Sequence, residues 1–264
     1  MNIPKIINYC WFGRKPLPNL AKKCIESWKK FCPEYKIIEW NEDNFDINIC
    51  TYTQQAYEAQ KYAFVADYAR FYILFNFGGI YFDTDVELIK SIDTIIEKGS
   101  FMGLEQNYNE KNITNSLKVT PGLGIAANPG LGIAANPGLS IYQEMLDLYS
   151  KKKFINENGS LDLTTIVEYT TDILIKHGLK NKSGIQQIDN IYIYPKEYFC
   201  PIDYRTGKKN FTENTYSIHH YMASWHSKKE IFSLNLEKFI GKKNINRLIK
   251  LKNKIKGIET WKEV

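Results

Sequence analysis

Several features that define other protein classes are scarce or missing in this chain of 264 residues. It contains five cysteines, an odd number, and no two of them have a C-x-x-C spacing. This argues against a disulfide framework or a structural zinc site. No run of about eighteen apolar residues occurs, and the chain does not start with a charged segment and an apolar signal core. We therefore expect reduced, packed thiols in a cytoplasmic protein without a membrane span.

The usual glycine motifs for phosphate binding are also missing, since neither G-x-G-x-x-G nor GKS/T occurs. The glycine-rich segment that is present is instead a tandem repeat. Its eight residues PGLGIAAN occupy 121–128, recur unchanged at 129–136, and begin again at 137–139. We expect one copy to form a strand before a helix near Ile141. The other copy would then form a loop or replace the first in a slipped register.

The positive charge is concentrated near the C-terminus. The net charge is +6 and the isoelectric point is about 8.8. Between Lys228 and Lys256, apolar residues recur at helical intervals with Lys and Arg between them, which predicts one or two basic amphipathic helices. Such helices could contact an anionic membrane surface, or they could pack an apolar stripe on the core and leave a solvated face. We expect no nucleic acid partner, because no basic and aromatic residues interleave in a recognisable module.

The hydrophobic content of 44% is sufficient for one substantial core. We predict a domain over residues 1–227 and a helical extension over 228–264 that belongs to the same structural unit. A strand at Lys5–Cys10, a helix at Leu20–Phe31 and a strand at Tyr35–Trp40 indicate a nucleotide-binding half-sheet. Further strands are predicted at Phe101–Glu105 and Ile191–Tyr194, and further helices at Leu139–Tyr149 and Leu163–His177. This order of elements predicts a mixed α/β sheet.

The segment from Ala63 to Glu87 is the most informative part of the sequence. Ala56–Phe77 has no internal Gly or Pro and predicts a helix of about six turns at roughly 3.6 residues per turn. Gly78 and Gly79 are the expected stop, because glycine accepts a left-handed backbone without a side-chain clash. Ile80–Phe82 then predicts a short buried strand that delivers the next residues to an edge of the sheet.

Four charged residues in this segment form a candidate site. Asp83 and Asp85 are two apart, so both carboxylates can face one cleft, where like charges require a cation such as Mg²⁺ or Mn²⁺. Asp67 and Arg70 lie three apart on the helix and share a face that can look toward the same cleft. There Asp67 could accept sugar hydroxyls, and Arg70 could donate to a sugar or a phosphate. The alternatives are an ordinary surface ion pair and an isolated D-x-D in a loop.

Two further regions contain candidate ligand-binding side chains. Trp11 follows the first predicted strand, where it could stack on a nucleotide base or close the end of the sheet as a core aromatic. Tyr216–Tyr221 predicts another strand, with His219 and His220 near its end. Because strand residues alternate, only one histidine can face the site. We favour His220 as a metal ligand opposite the acidic pair, against the alternative of a buried, hydrogen-bonded histidine.

Three motifs in this order resemble those of the family 32 glycosyltransferases, which use a DXD motif. They are IPKIINYCWFG at the start, the Asp83–Asp85 core, and SIHHYMASWHS near the end. The chain is more distantly similar to the catalytic domains of clostridial glucosylating toxins. The resemblance implies a GT-A-type, Rossmann-like fold with a central mixed β-sheet flanked by helices. It also implies transfer of a hexose from a nucleotide diphosphate sugar to a glycan or lipid-linked acceptor, as in capsular or surface polysaccharide synthesis.

The resemblance implies roles for particular residues. Mn²⁺ or Mg²⁺ would be held mainly by Asp85, with Asp83 and His220. The donor would be contacted by Trp11, Asp67, Arg70, Asp83, Ser224 and Trp225. The residues implied in catalysis are Asp67, Arg70, Asp83 and Asp85. A UDP-hexose is the favoured donor and GDP-mannose its competitor. The family also implies retention of anomeric configuration, for which we expect a front-face reaction assisted by the leaving group.

Three other functions fit parts of the pattern. Phosphatases of the haloacid dehalogenase type use D-x-D after an apolar strand, but they require Thr or Val two places after the second Asp. Here that position is Glu87, and no later Asp-Asp pair follows an apolar strand. A protein glycosyltransferase of the toxin or effector type and a non-catalytic nucleotide-sugar-binding protein remain open alternatives.

Overall fold

The computed structural model describes residues 3–106, 126–203 and 207–222. Its strands are β1 (Ile6–Cys10), β2 (Lys36–Trp40), β3 (Gly79–Tyr81), β4 (Val86–Leu88), β5 (Ser100–Gln106), β6 (Ala126–Ala135), β7 (Gln186–Ile188), β8 (Ile191–Tyr194) and β9 (Ser217–His219). Its helices are α1 (Asn19–Phe31), α2 (Thr51–Glu58), α3 (Tyr62–Phe77), α4 (Asp93–Ile96), α5 (Ser140–Ser150), α6 (Ile166–Lys176) and α7 (Lys196–Phe199).

The central sheet has seven strands in the order β2-β1-β3-β6-β5-β8-β7. β1 runs parallel to both β2 and β3, whereas β6 is antiparallel to β3 and β5. β8 is parallel to β5, and β7 is antiparallel to β8. A second, two-stranded sheet pairs β4 with β9. The mixed α/β sheet predicted from the sequence is therefore confirmed, as is its opening strand, helix and strand.

Helices cover both faces of the central sheet. One core contains buried side chains of α2, α3, α5 and α6, and the other contains those of α1, α4 and α7. The short strand β3 separates them, because Ile80 and Phe82 pack into one core and Tyr81 into the other. This alternation is the two-residue period of a β-strand. It fixes the direction in which Asp83 leaves the end of β3.

The prediction of one continuous helix over Ala56–Phe77 is wrong. The structure has two helices, with α2 ending at Glu58 and α3 beginning at Tyr62. Between them Gln60 adopts a left-handed backbone with φ of 57°. A non-glycine residue in that conformation interrupts the helical hydrogen-bond ladder, and the composition of the segment did not reveal it.

The glycine pair after α3 behaves as predicted. Gly78 has φ of 67°, and its N–H donates to the carbonyl of Leu74 at 3.0 Å, which closes the helix. Gly79 has φ of 92°, and a Cβ there would lie 2.8 Å from the carbonyl oxygen of Ile6. Glycine is therefore required both for the turn and for the close approach of β3 to β1.

The second PGLGIAAN copy forms most of β6, which precedes α5 as expected. Its Gly130 carbonyl accepts the backbone N–H of Asp83 at 3.1 Å. Gly132 has φ of 142°, and a Cβ at that position would lie 2.7 Å from the ring of Phe82. The second copy thus packs directly against the end of β3. Residues 121–125 of the first copy lie outside the described residues.

The described residues up to 202, together with 209–221, belong to one compact unit. The predicted basic extension over 228–264, with its proposed membrane contact, lies outside the described residues. Among the residues that are described, no helix has the length and apolar character needed to cross a membrane. All five cysteines are free thiols, as expected. Burial raises the pKa of Cys10 and of Cys24 to about 12, so these thiols stay protonated at neutral pH.

Candidate functional site

Asp83, Asp85 and His219 form a compact cluster just beyond the end of β3. One potential ligand atom from each of the three lies within 4.8 Å of the others. The Nε2 atom of His219 is 3.2 Å from Oδ1 of Asp85. The pairing of β4 with β9 brings the two chain segments together, because Val86 lies opposite His219 in the register. The structure thus brings the carboxylates of Asp83 and Asp85 together, and that they face a cleft stays a prediction.

The structure places His219, and not the favoured His220, beside Asp85. His220 instead hydrogen-bonds through Nε2 to Glu87 Oε2 at 2.8 Å, and its backbone N–H donates to the carbonyl of Asp85 at 3.0 Å. The sequence predicted that only one histidine could face the acidic pair and favoured His220, but the structure places His219 there. The choice depends on the register of β9 against β4, in which Ser217 and His219 point inward.

Arg70 connects the helix to the acidic pair. Its Nη2 atom lies 2.9 Å from Asp67 Oδ1 and 3.2 Å from Asp83 Oδ1, and its Nε donates to the carbonyl of Ala66 at 3.1 Å. Asp67 is 7% exposed and Arg70 is 4% exposed. The alternative of an ordinary surface ion pair is therefore wrong, and the shared helical face looks toward Asp83 as expected.

Burial dominates the electrostatics of this ion pair. Loss of solvation raises the pKa of Asp67, and the opposing effect of Arg70 only partly offsets it. Burial also lowers the pKa of Arg70, but Asp83, Tyr81 and Asp67 together raise it by more. The guanidinium therefore remains charged and supplies a fixed positive charge beneath Asp83.

Tyr81 is a site residue that the sequence analysis missed. Its hydroxyl donates to Asp83 Oδ1 at 3.1 Å, and its ring lies 4.9 Å from the guanidinium carbon of Arg70. Burial raises the pKa of Tyr81 well above its usual value, so the hydroxyl keeps its proton. The sequence spacing could have predicted this contact, because residues two apart on a strand share a face and Tyr81 precedes Asp83 by two.

Three further residues were predicted to contact the donor, and the structure describes one of them, Trp11. Trp11 lies just after β1, at the same edge of the sheet as Asp83, because β1 and β3 are parallel neighbours. Its indole Nε1 donates to the carbonyl of Lys15 at 2.6 Å, and the ring is half-buried against the core of α1. Its contact with a donor stays a prediction. Ser224 and Trp225 lie outside the described residues.

The cluster of Asp83, Asp85 and His219 has the chemistry of a divalent cation site. Two carboxylates and one imidazole suit Mn²⁺ or Mg²⁺ in a site that keeps open positions for substrate oxygens. The Nε2 atom of His219 points at a carboxylate, while its Nδ1 is buried and has no hydrogen-bond partner among the described residues. The residues present therefore fit a cation.

Comparisons with known proteins point to glycosyltransferases. Residues 18–102 match the family model described as "Glycosyltransferase sugar-binding region containing DXD motif". The chain is 28% identical over 213 residues to the uncharacterized glycosyltransferase L373 of Acanthamoeba polyphaga mimivirus, covering 75% of this chain and 77% of that protein. It is also 24% identical over 111 residues to inositol phosphoceramide mannosyltransferase 1 of Schizosaccharomyces pombe (strain 972 / ATCC 24843).

The lengths of these matches differ. The match to the mannosyltransferase covers 38% of this chain, and the chain spans only 33% of that relative's length. A solved structure titled "PaToxG Glycosyltransferase" is 20% identical with a TM-score of 0.45, covering 66% of this chain and 70% of that one.

Proposed function

We propose that this chain, whose residues 18–102 match the glycosyltransferases with a DXD-containing sugar-binding region, transfers a hexose from a nucleotide diphosphate sugar to a hydroxyl group with the aid of Mn²⁺ or Mg²⁺. The observation that carries this proposal is the cluster of Asp83, Asp85 and His219 at the end of a strand in a nucleotide-binding type of sheet. Brought so close together, the two carboxylates favour a cation, and a cation with open positions favours a diphosphate ligand.

The proposal gives each side chain of the site a task. Asp85, Asp83 and His219 would hold the cation, which when bound offsets the negative charge that grows on the leaving diphosphate. Arg70 and Tyr81 both hydrogen-bond to Asp83 and fix the direction of its carboxylate. Asp67 lies on the other side of Arg70, where its carboxyl group could accept or donate hydrogen bonds with sugar hydroxyls.

In the proposed reaction, the acceptor hydroxyl oxygen forms a bond to the anomeric carbon as the bond from that carbon to the diphosphate oxygen breaks. The hydroxyl proton passes to the leaving diphosphate. Family resemblance supports retention of configuration, so attack and departure would occur on the same face of the sugar. Trapping of a covalent glycosyl-enzyme with a slow fluorinated donor would contradict this route, whereas retention without a trapped intermediate agrees with it.

The donor and acceptor follow from resemblance and from chemistry. We favour a UDP-hexose, with Trp11 beside the base, and we keep GDP-mannose because one relative is named as a mannosyltransferase. The same relative's printed acceptor is a lipid, which supports a lipid-linked or glycan acceptor such as those of capsular or surface polysaccharides. The basic segment Lys228–Lys256 would then bring the enzyme to the cytoplasmic face of a membrane.

A thermal-shift and hydrolysis screen tests the proposal. UDP-glucose, UDP-galactose and GDP-mannose are each added with and without Mn²⁺ to the wild-type protein and to Asp85→Ala. The matched control is Asp147→Ala, which removes an exposed carboxylate on α5. We expect stabilisation and hydrolysis with one donor that require Mn²⁺ and are lost in Asp85→Ala but not in Asp147→Ala. If no donor binds under any metal condition, the transferase proposal is wrong and a protein without this activity is the better account.

A further inference from the structure

The segment behind His219 is fixed by the packing of α7 against β9. The backbone N–H of Tyr216 donates to the carbonyl of Tyr198 at 2.7 Å, and the hydroxyl of Ser217 donates to the carbonyl of Phe199 at 3.2 Å. The next residue after α7 is Cys200, which is completely buried. These two hydrogen bonds join the end of α7, and with it the backbone next to Cys200, to the strand that ends in His219.

Cys200 and Tyr221 are in direct contact. The thiol sulfur of Cys200 lies 2.8 Å from the hydroxyl oxygen of Tyr221. Tyr221 has a left-handed backbone with φ of 51°, an uncommon conformation for a tyrosine. This backbone turns the Tyr221 ring onto the imidazole of His219, and the two ring centres are 4.3 Å apart. A strained backbone that is retained beside a candidate site is consistent with a functional requirement.

The imidazole of His219 has two differently placed nitrogens. Nε2 faces Asp85, whereas Nδ1 is buried and has no hydrogen-bond partner among the described residues. Histidines that bind metals usually have an outer contact at the second nitrogen, which fixes the tautomer and the ring plane. Here Cys200 and Tyr221 are the groups available for that task.

We propose that Cys200 and Tyr221 are positioning residues that hold the His219 imidazole in the orientation needed to bind the cation. This inference rests on the proposed function, because it requires a cation at Asp83, Asp85 and His219. The Tyr221 ring restricts the plane of the imidazole, and the Cys200 thiol holds the Tyr221 hydroxyl and so the position of that ring. Neither residue touches the substrate in this account.

The test measures binding of Mn²⁺ alone, by the electron paramagnetic resonance signal of free Mn²⁺, and so needs neither donor nor turnover. The variants are Cys200→Ala, Cys200→Ser, Tyr221→Phe and His219→Ala. Cys32→Ala is the matched control, because it removes another buried thiol, one that lies at the end of α1. Circular dichroism and the thermal midpoint show whether each variant is folded.

We expect Cys200→Ala to weaken Mn²⁺ binding by about tenfold or more, the effect typical of removing an outer contact of a metal ligand. Tyr221→Phe should weaken it in the same direction, Cys200→Ser should recover part of the loss, and Cys32→Ala should bind as the wild type does. If folded Cys200→Ala and Tyr221→Phe both bind Mn²⁺ as tightly as Cys32→Ala, while His219→Ala does not, the positioning role is wrong and the metal site stands.

A second possible result would contradict both the positioning role and the proposed metal site. If the wild-type protein and His219→Ala bind Mn²⁺ equally, then His219 is not a ligand, and both the proposed metal site and this inference fail. The His219→Ala arm therefore separates a failure of the proposed function from a failure of the positioning role. If Cys200→Ala does not fold, Tyr221→Phe decides the question, because it removes one hydroxyl and keeps the ring.

Discussion

The Arg70 guanidinium lies 3.2 Å from the carboxylate of Asp83, and the Arg70 side chain is 4% exposed. An acidic pair at the end of a strand is thus joined to a charge buried inside the preceding helix. The same Nη2 atom also contacts Asp67, so the Arg70 guanidinium is the shared counter-charge of two carboxylates. The stability of this region and the geometry of the proposed metal site are therefore coupled.

The first prediction is that Arg70→Met strongly destabilises the fold. It leaves two carboxylates near each other without a counter-charge, and breaking such a buried pair costs on the order of 3 kcal/mol or more. Urea unfolding measures the loss. The double variant Asp67→Asn/Arg70→Met should lose less than the sum of the single changes, because one orphaned charge is gone. Equal stability of Arg70→Met and the wild type would contradict the coupling.

A matched control for that experiment is Arg14→Met. Arg14 also pairs with an aspartate, with its Nη2 atom 2.7 Å from Asp43 Oδ1, but both side chains are more than half exposed. Solvent and salt screen such a pair, so we expect no measurable change in unfolding free energy. The contrast isolates burial as the cause of the Arg70 effect.

The second prediction concerns the hydroxyl of Tyr81. Tyr81→Phe keeps the buried ring and removes the donor to Asp83, so the carboxylate is held by Arg70 alone. We expect Mn²⁺ affinity to fall by about tenfold with little change in the thermal midpoint. Tyr9→Phe is the control, because it removes a hydroxyl that donates to Glu39 at 2.6 Å on a neighbouring strand. Unchanged Mn²⁺ binding in Tyr81→Phe would show that this hydrogen bond does not orient Asp83.

The third prediction is a pH dependence at His177. Its ring nitrogens lie 2.7 Å from Glu144 and 2.8 Å from Asp189, and the Glu144 hydrogen bond is the main cause that raises its pKa above the usual 6.5. Because the pKa is higher in the folded state, the stabilisation is fully present below pH 6.5 and is lost as pH rises through the folded-state value. We expect His177→Gln to be more destabilising at pH 6 than at pH 9.

Unfolding free energies of the wild type and His177→Gln, measured across that range, check the sign. Subtracting the two curves removes the titration of groups that do not contact His177. The loss of unfolding free energy in Glu144→Gln should also be larger at pH 6 than at pH 9. The difference between the two pH values should be smaller than for His177→Gln, because Asp189 still pairs with His177. A difference that grows with rising pH would contradict the assignment of a protonated His177 between two carboxylates.

The fourth prediction is that one PGLGIAAN copy can be removed without loss of the fold. Deleting residues 121–128 or 129–136 gives the same sequence, and the remaining copy is still followed by Pro-Gly-Leu. The glycines that contact Phe82 and Asp83 are therefore preserved. Thr120 and Val119 would take the places of Asn128 and Ala127 opposite β5, and both are β-branched residues that favour strands.

We expect the deletion variant to keep its thermal midpoint within a few degrees and to bind Mn²⁺ normally, since a twofold change in the length of the chain that connects two elements costs only about 0.6 kcal/mol. The contrasting variant is Gly132→Ala in the full-length chain. Its Cβ would lie 2.7 Å from the Phe82 ring at φ of 142°, so we expect clear destabilisation. Unfolding of the deletion variant would show that both copies are structurally required.

The order of elements and the acidic pair could be predicted from the sequence because their causes are local. Apolar residues at a two-residue period predict a strand, and the glycine pair after α3 stops a helix wherever that helix lies. The three-residue spacing of Asp67 and Arg70 likewise places them on one face of any helix. None of these arguments depends on which distant segment packs nearby.

Only the tertiary structure decided which partners meet at the site. The identity of His219 depends on the register of β9 against β4, which are separated by more than a hundred residues. The junction of α2 and α3 depends on the left-handed backbone of Gln60. Because this residue is not a glycine, the sequence did not indicate the break. The contact of Cys200 with Tyr221 depends on how α7 packs on β9. Local propensities act within a few residues, whereas register and side-chain contact are set by the burial of whole surfaces against each other.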